Sequence, residues 1–133
     1  TPEKVIELLE PSFDSNDIPV NCGTKIESKG YHSTIRTINV KEPKGKLTIG
    51  FATFYIGDEM IVYKGKASEI SDDKIIFRTD GFIKTNWKTF TSDYDTPDGI
   101  ITVRINGGDN NKTQWYFTVY CPKPPKQTNT TTK

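Results

Sequence analysis

The chain has 133 residues, 18 Lys and Arg against 17 Asp and Glu, and a net charge of +1. That balance excludes the electrostatic footprint of a nucleic-acid binder, and no apolar stretch approaches the roughly 20 residues that span a bilayer. With 33% apolar and 11% aromatic residues, the composition suits one domain of thin sheets whose core rests on Phe, Tyr and Trp, without dense disulfides or a metal to hold it.

No signal peptide or initiator Met is present, so Thr1 reads as a mature end or as the cut end of a larger protein. Residues 1–17 form a lead-in with the one helical candidate, Pro2 to Glu10. Thr1 suits the N-cap, Pro2 the first helical position and Glu3 the positive helix end, while Pro11 stops the run. From Ile18 the pattern changes to period two, and residues 18–122 read as a β-sandwich domain. Strands are expected near 18–22, 31–40, 46–54, 59–64, 73–78, 86–91, 99–105 and 113–120. Gly, Pro and Asp turns separate them, as at Pro43-Lys44-Gly45, Asp80-Gly81 and Pro97-Asp98-Gly99. The predicted fold is all-β: a sandwich of about eight antiparallel strands of jelly-roll type, preceded by the short helix.

Three runs show an inward face. Leu47, Ile49 and Phe51 alternate with Thr48, Gly50 and Ala52; Ile101, Val103 and Ile105 alternate with Thr102, Arg104 and Asn106. Trp115, Phe117, Val119 and Cys121 alternate with Tyr116, Thr118 and Tyr120. Residues 123–133, rich in Pro, Thr and Lys, read as a linker or disordered tail leading to a neighbouring module.

Cys22 is in phase with Ile18 and Val20, and Cys121 with Val119. Two readings follow: a Cys22–Cys121 disulfide, or two buried thiols acting as small hydrophobes. The disulfide is favoured because it would close the ends of the β-domain. A redox or zinc site is excluded by the lack of Cys-x-x-Cys and of further ligands.

Gly107-Gly108 leads through Thr113 to Trp115-Tyr116-Phe117-Thr118-Val119-Tyr120-Cys121-Pro122. This W-x-F-x-V-x-C-P ending resembles that of small β-sandwich modules, CUB-like in architecture, of secreted and surface bacterial and phage proteins. Asp58-Glu59-Met60-Ile61-Val62-Tyr63 and Phe77-Arg78-Thr79-Asp80-Gly81 add to the resemblance, which spans roughly 45–122. Gly57 stands where such modules carry Pro, and Ala67 to Asp73 looks like an insertion. The resemblance implies an accessory or adhesive module and carries no catalytic residues.

Catalysis is not expected. His32 is the only histidine and has no nucleophile signature beside it, and there is no G-x-S-x-G, phosphate loop or paired-His motif. The sequence implies no cofactor. Asp93, Asp95 and Asp98, with Pro97 and Gly99, form the loop best suited to Ca²⁺, and Asp14, Asn16 and Asp17 form a second acidic group. Against this stands the ordinary use of Asp and Asn as solvated turn residues. Tyr55, Trp87 and Tyr94 fall near expected turns and are the candidate ligand-binding rings, core packing being the alternative. Asn111-Lys112-Thr113 and Asn129-Thr130-Thr131 fit the N-glycosylation pattern.

The favoured function is a non-catalytic extracellular or cell-surface module that binds a glycan or a surface protein. The alternative is a self-associating building block of a surface filament, phage-like tail or secreted apparatus. The site is expected on loops 55–58, 80–87 and 92–99, gathered at one end of the sandwich, with Asp58 and Asp80 beside the rings.

Overall fold

The computed structural model describes residues 13–28, 33–54, 57–107 and 114–122, with backbone alone at Phe13 and Asp14. Among them nine strands form two sheets: β1 Phe13–Asn21, β2 Lys25–Glu27, β3 Ser33–Asn39, β4 Lys44–Ala52, β5 Glu59–Lys64, β6 Ile75–Arg78, β7 Lys88–Asp95, β8 Ile100–Asn106 and β9 Tyr116–Tyr120. One sheet runs β1-β3-β8-β5-β6, the other β2-β9-β4-β7. Every consecutive pair of these strands except β5 and β6 lies in different sheets, so the two layers are wound together. No helix among the described residues is long and apolar enough to cross a membrane.

The three alternating runs behave as strands with one buried face. Leu47, Ile49, Phe51, Phe117 and Val119 from the four-stranded sheet meet Ile38, Met60, Val62, Ile101, Val103 and Ile105 from the other. Phe51 and Phe117 are cross-strand partners on β4 and β9, and both are fully buried. Trp115 stacks on Phe117 with centroids 5.8 Å apart, below the first residue of β9. Truncating a phenylalanine so placed costs about 3–5 kcal/mol.

The all-β architecture follows the sequence; several details differ. The expected helix at 2–10 and the tail at 123–133 lie outside the described residues. The first strand begins at Phe13 and pairs with β3 in parallel, so the strands are not all antiparallel. Strand β2 adds a short edge beside β9. The strand expected at 86–91 instead runs on to Asp95, because Lys44 and Lys46 on β4 stand opposite Asp95 and Asp93 and support acidic residues that otherwise disfavour strands.

The 65–74 connection, which contains the 67–73 stretch that looked like an insertion, folds onto the outer face of the five-stranded sheet. Thr102 Oγ1 donates to the Gly65 carbonyl at 2.7 Å, and the Ala67 amide donates to Thr37 Oγ1 at 3.1 Å. The Ser68 amide donates to Asp17 at 2.7 Å. Hydrogen bonds from Ser68 hold the Asp17 carboxyl below its ordinary value.

Cys22 and Cys121 form a disulfide that joins the end of β1 to the end of β9. Cys22 is buried, whereas Cys121 is exposed: β9 stops at Tyr120, so the inward phase is not carried on. With the two cysteines 99 positions apart in sequence, the cross-link restricts the unfolded chain by about 4–5 kcal/mol in the chain-entropy model. Replacing both cysteines by Ser is therefore expected to lower stability by a few kcal/mol, read by urea denaturation. Denaturation midpoints equal to wild type would show that the bridge contributes nothing.

Candidate functional site

The outer face of the four-stranded sheet carries the side chains that alternate with the core set. From β9 these are Tyr116, Thr118 and Tyr120; from β4, Lys44, Lys46, Thr48, Gly50 and Ala52; from β7, Thr89, Thr91, Asp93 and Asp95. Lys25 and Glu27 of β2 complete the face.

Trp87, just before β7, folds back across this surface. Its ring lies on the backbone of Gly50, where any side chain would collide with it. Glycine within a strand often marks such a close approach. The Trp87 and Tyr116 rings are 5.6 Å apart, and the Phe54 ring is also 5.6 Å from Tyr116. Lys25 Nζ sits 4.3 Å from the centroid of the Tyr116 ring. Trp87 keeps 42% of its surface exposed, a large value for a ring already packed on protein.

A threonine clasp holds two of these rings. The amides of Thr53 and Phe54 both donate to the Thr85 carbonyl at 2.9 Å. The Thr85 amide donates back to Thr53 Oγ1 at 2.9 Å, and the Trp87 amide donates to Thr85 Oγ1 at 3.2 Å. Phe54 adopts a left-handed backbone with φ of 59°. For a bulky residue that conformation costs about 1–3 kcal/mol and persists only when its surroundings enforce it. A groove of about 460 Å³ opens beside Phe54 and Tyr116, lined by Lys25, Glu27, Ser28 and Gln114.

Tyr120 stands on the same face at the far end of β9, opposite Thr48, with 42% of its surface exposed. It lines a second groove of about 420 Å³ with Lys46, Thr48, Cys121 and Pro122. The charges of the face are matched: Lys25 lies 3.7 Å from Glu27, Lys46 lies 3.2 Å from Asp93, and Lys44 stands opposite Asp95.

Of the rings singled out from sequence, Trp87 belongs to this surface and Tyr55 lies outside the described residues. Tyr94 does not belong to it: at 6% exposed it faces the core, and its hydroxyl donates to the Glu42 carbonyl at 2.7 Å. Alternation explains this, because Asp93 and Asp95 on either side take the outward positions. Those two aspartates are therefore strand residues rather than loop ligands. Asp98 lies in the following turn and is occupied there, accepting from the Ile100 amide at 3.0 Å. Asp14, Asn16 and Asp17 lie on β1. Among the described residues no group of three or more His, Cys, Asp and Glu side chains stands close enough to hold a metal.

The three expected loops do not gather at one end. Thr53, Phe54 and Asp58 are tied to Ile83 and Thr85 through the Asp58–Ile83 bridge and the threonine clasp, whereas 96–99 lies beyond the opposite end of β7. Asp58 is fully buried and Asp80 is exposed. Tyr116, Tyr120 and Phe54, which the sequence reading did not single out, also lie on this face. The available signal was the pair of tyrosines in the outward phase of one strand.

No protein-family model and no curated protein sequence matches the chain. Among solved structures, the pre-peptidase C-terminal domain of a collagenase from Bacillus anthracis is similar, with a TM-score of 0.57 and 14% identity over 80% of this chain and 93% of that one. That likeness is one of fold. Weaker matches are to a CBM4 structure (TM-score 0.39, 21% identity, 69% of this chain and 61% of that one) and to the CBM22-1–GH10 modules of a Clostridium thermocellum endo-1,4-β-D-xylanase complexed with xylohexaose (TM-score 0.35, 12% identity, 80% and 26%).

Two outcomes test this geometry. Gly50→Ala is expected to lift the Trp87 ring into solvent and shift tryptophan emission to the red, because Trp115, the other tryptophan, stays buried. An unchanged spectrum would show that Trp87 does not rest on Gly50. For Tyr94, burial and then the nearby Glu42 charge push the phenol above its ordinary value of 10.0. The folded state thus favours the neutral phenol: its contribution is complete below the unfolded value and is lost as pH rises through the higher folded one. Tyr94→Phe should cost about 1 kcal/mol at neutral pH and flatten the alkaline fall in stability, measured by denaturation across that range. A wild-type alkaline profile in the variant would assign the fall to other groups.

Proposed function

We propose that this chain is a non-catalytic extracellular module that binds glycans on the outer face of its four-stranded sheet. The observation that carries the reading is the platform of Phe54, Tyr116 and Trp87, cleared by Gly50 and surrounded by hydroxyl-bearing Thr89, Thr91 and Thr118. The C–H face of a sugar ring is apolar and packs on a flat aromatic face, while its rim of hydroxyls needs hydrogen-bonding partners close by. This surface offers both. Trp87 and Tyr120 are exposed on this face beside half-buried Phe54 and Tyr116, and aromatic surface gathered on one face is a common mark of a binding surface. The Cys22–Cys121 disulfide supports an oxidising, extracytoplasmic setting.

The rings are already packed against one another, so binding would freeze few rotamers. Trp87→Ala and Tyr116→Ala, each checked for fold by circular dichroism, are to be compared with wild type on a glycan array and by titration calorimetry. Each variant is expected to bind the selected glycan about tenfold more weakly, equivalent to ~1.4 kcal/mol. Folded variants that bind as tightly as wild type would remove the site from this face.

A further inference from the structure

We infer that the ligand is an uncharged, extended oligosaccharide that lies along β9 and is gripped at two aromatic subsites, one at Phe54–Trp87–Tyr116 and one at Tyr120. The inference rests on the glycan reading above and adds to it the length and charge of the ligand.

Three observations carry it. First, Tyr116 and Tyr120 lie on the same face of β9, four residues apart, which places their Cα atoms about 13 Å from each other. A single sugar cannot touch both. Second, the span between them is continuous. Thr118 stands between the two tyrosines, the half-exposed Trp87 ring lies on Gly50 opposite it, and Thr48 stands opposite Tyr120. Grooves open at both ends of this track, about 460 Å³ beside Tyr116 and about 420 Å³ beside Tyr120. Third, the charged groups along the track cancel locally. Lys25 is paired with Glu27 and Lys46 with Asp93, while Lys44 stands opposite Asp95. Such a surface has no net field to attract a polyanion or a polycation, yet its polar groups remain available as hydrogen-bond donors and acceptors.

Two subsites joined by a track make affinity depend on length. A short ligand fills one subsite; a longer one engages the second at high effective concentration. The probes are neutral β-linked gluco-, xylo- and manno-oligosaccharides from disaccharide to hexasaccharide, with oligogalacturonate of matched length as the charged control. They are titrated calorimetrically into wild type, Tyr120→Ala and Tyr120→Phe. Wild-type affinity is expected to climb with length and then level off. Tyr120→Ala should weaken the longest bound probe about tenfold while leaving the shortest bound probe unchanged, and Tyr120→Phe should keep the ring and the affinity. If wild type binds a neutral probe with no dependence on length, or Tyr120→Ala weakens short and long probes alike or neither, the second subsite is refuted and the glycan reading survives. If oligogalacturonate binds more tightly than every neutral probe, the uncharged class is wrong. If wild type binds none of the probes, neutral or charged, the glycan reading falls and this inference falls with it.

Discussion

The pairing of Phe51 with Phe117 across β4 and β9 sets the register on which both halves of this sheet depend. Both rings are fully buried, so this pairing is fixed by the largest single contributions to the core. Side chains on a strand alternate with a period of two. Fixing Phe117 and Val119 inward therefore fixes Tyr116, Thr118 and Tyr120 outward. A slip of one residue would bury two tyrosines with their hydroxyls and expose the core of β9. The outer aromatic face is in this sense held in place by the hydrophobic energy of the opposite face.

Alternation alone does not build a platform. Trp87 precedes β7 and has no place in the ladder; it reaches the sheet because Gly50 leaves the backbone bare and because Thr85 ties the chain back to Thr53. Buried threonines recur in this role. Thr53 Oγ1 donates to Ile83, Thr96 Oγ1 to Ile100, and Thr102 Oγ1 to Gly65. The Ile83 and Ile100 carbonyls also accept from the Asp58 and Gly65 amides, so there the hydroxyl takes a second lone pair and gives the buried threonine its own partner. A backbone bond from the Phe54 amide to the Thr85 carbonyl helps hold Phe54 in a conformation a phenylalanine avoids on its own.

Where apolar alternation was strong, the fold was legible. Residues 47–51, 101–105 and 115–119 take the faces their pattern implies. Strand β2 was not legible, because Lys25-Ile26-Glu27 holds one apolar residue and no period. The second half of β7 read as a metal-binding loop, since Asp is depleted in strands and common in turns. Its strand character comes from Lys44 and Lys46, which are distant in sequence and stand opposite only once β4 has paired. Tyr94 was misplaced for the same reason, as a strand residue inside a stretch read as loop. Trp87 was chosen for its type and for its position near a turn. Its contact with Gly50 is a tertiary fact that no local pattern encodes.

The exposed rings of this face are bordered by matched charges. Exposed ion pairs of this kind contribute little to stability, at most about 1 kcal/mol each. Their effect here is to border the rings with polar groups while leaving the surface without a net field. Lys25 does both, since its ammonium is paired with Glu27 and also sits over the Tyr116 ring. Under the glycan reading proposed above, rings already packed against one another reduce the ordering that binding would otherwise require. The strain held at Phe54 and the bare backbone at Gly50 are the structural conditions for that preorganisation.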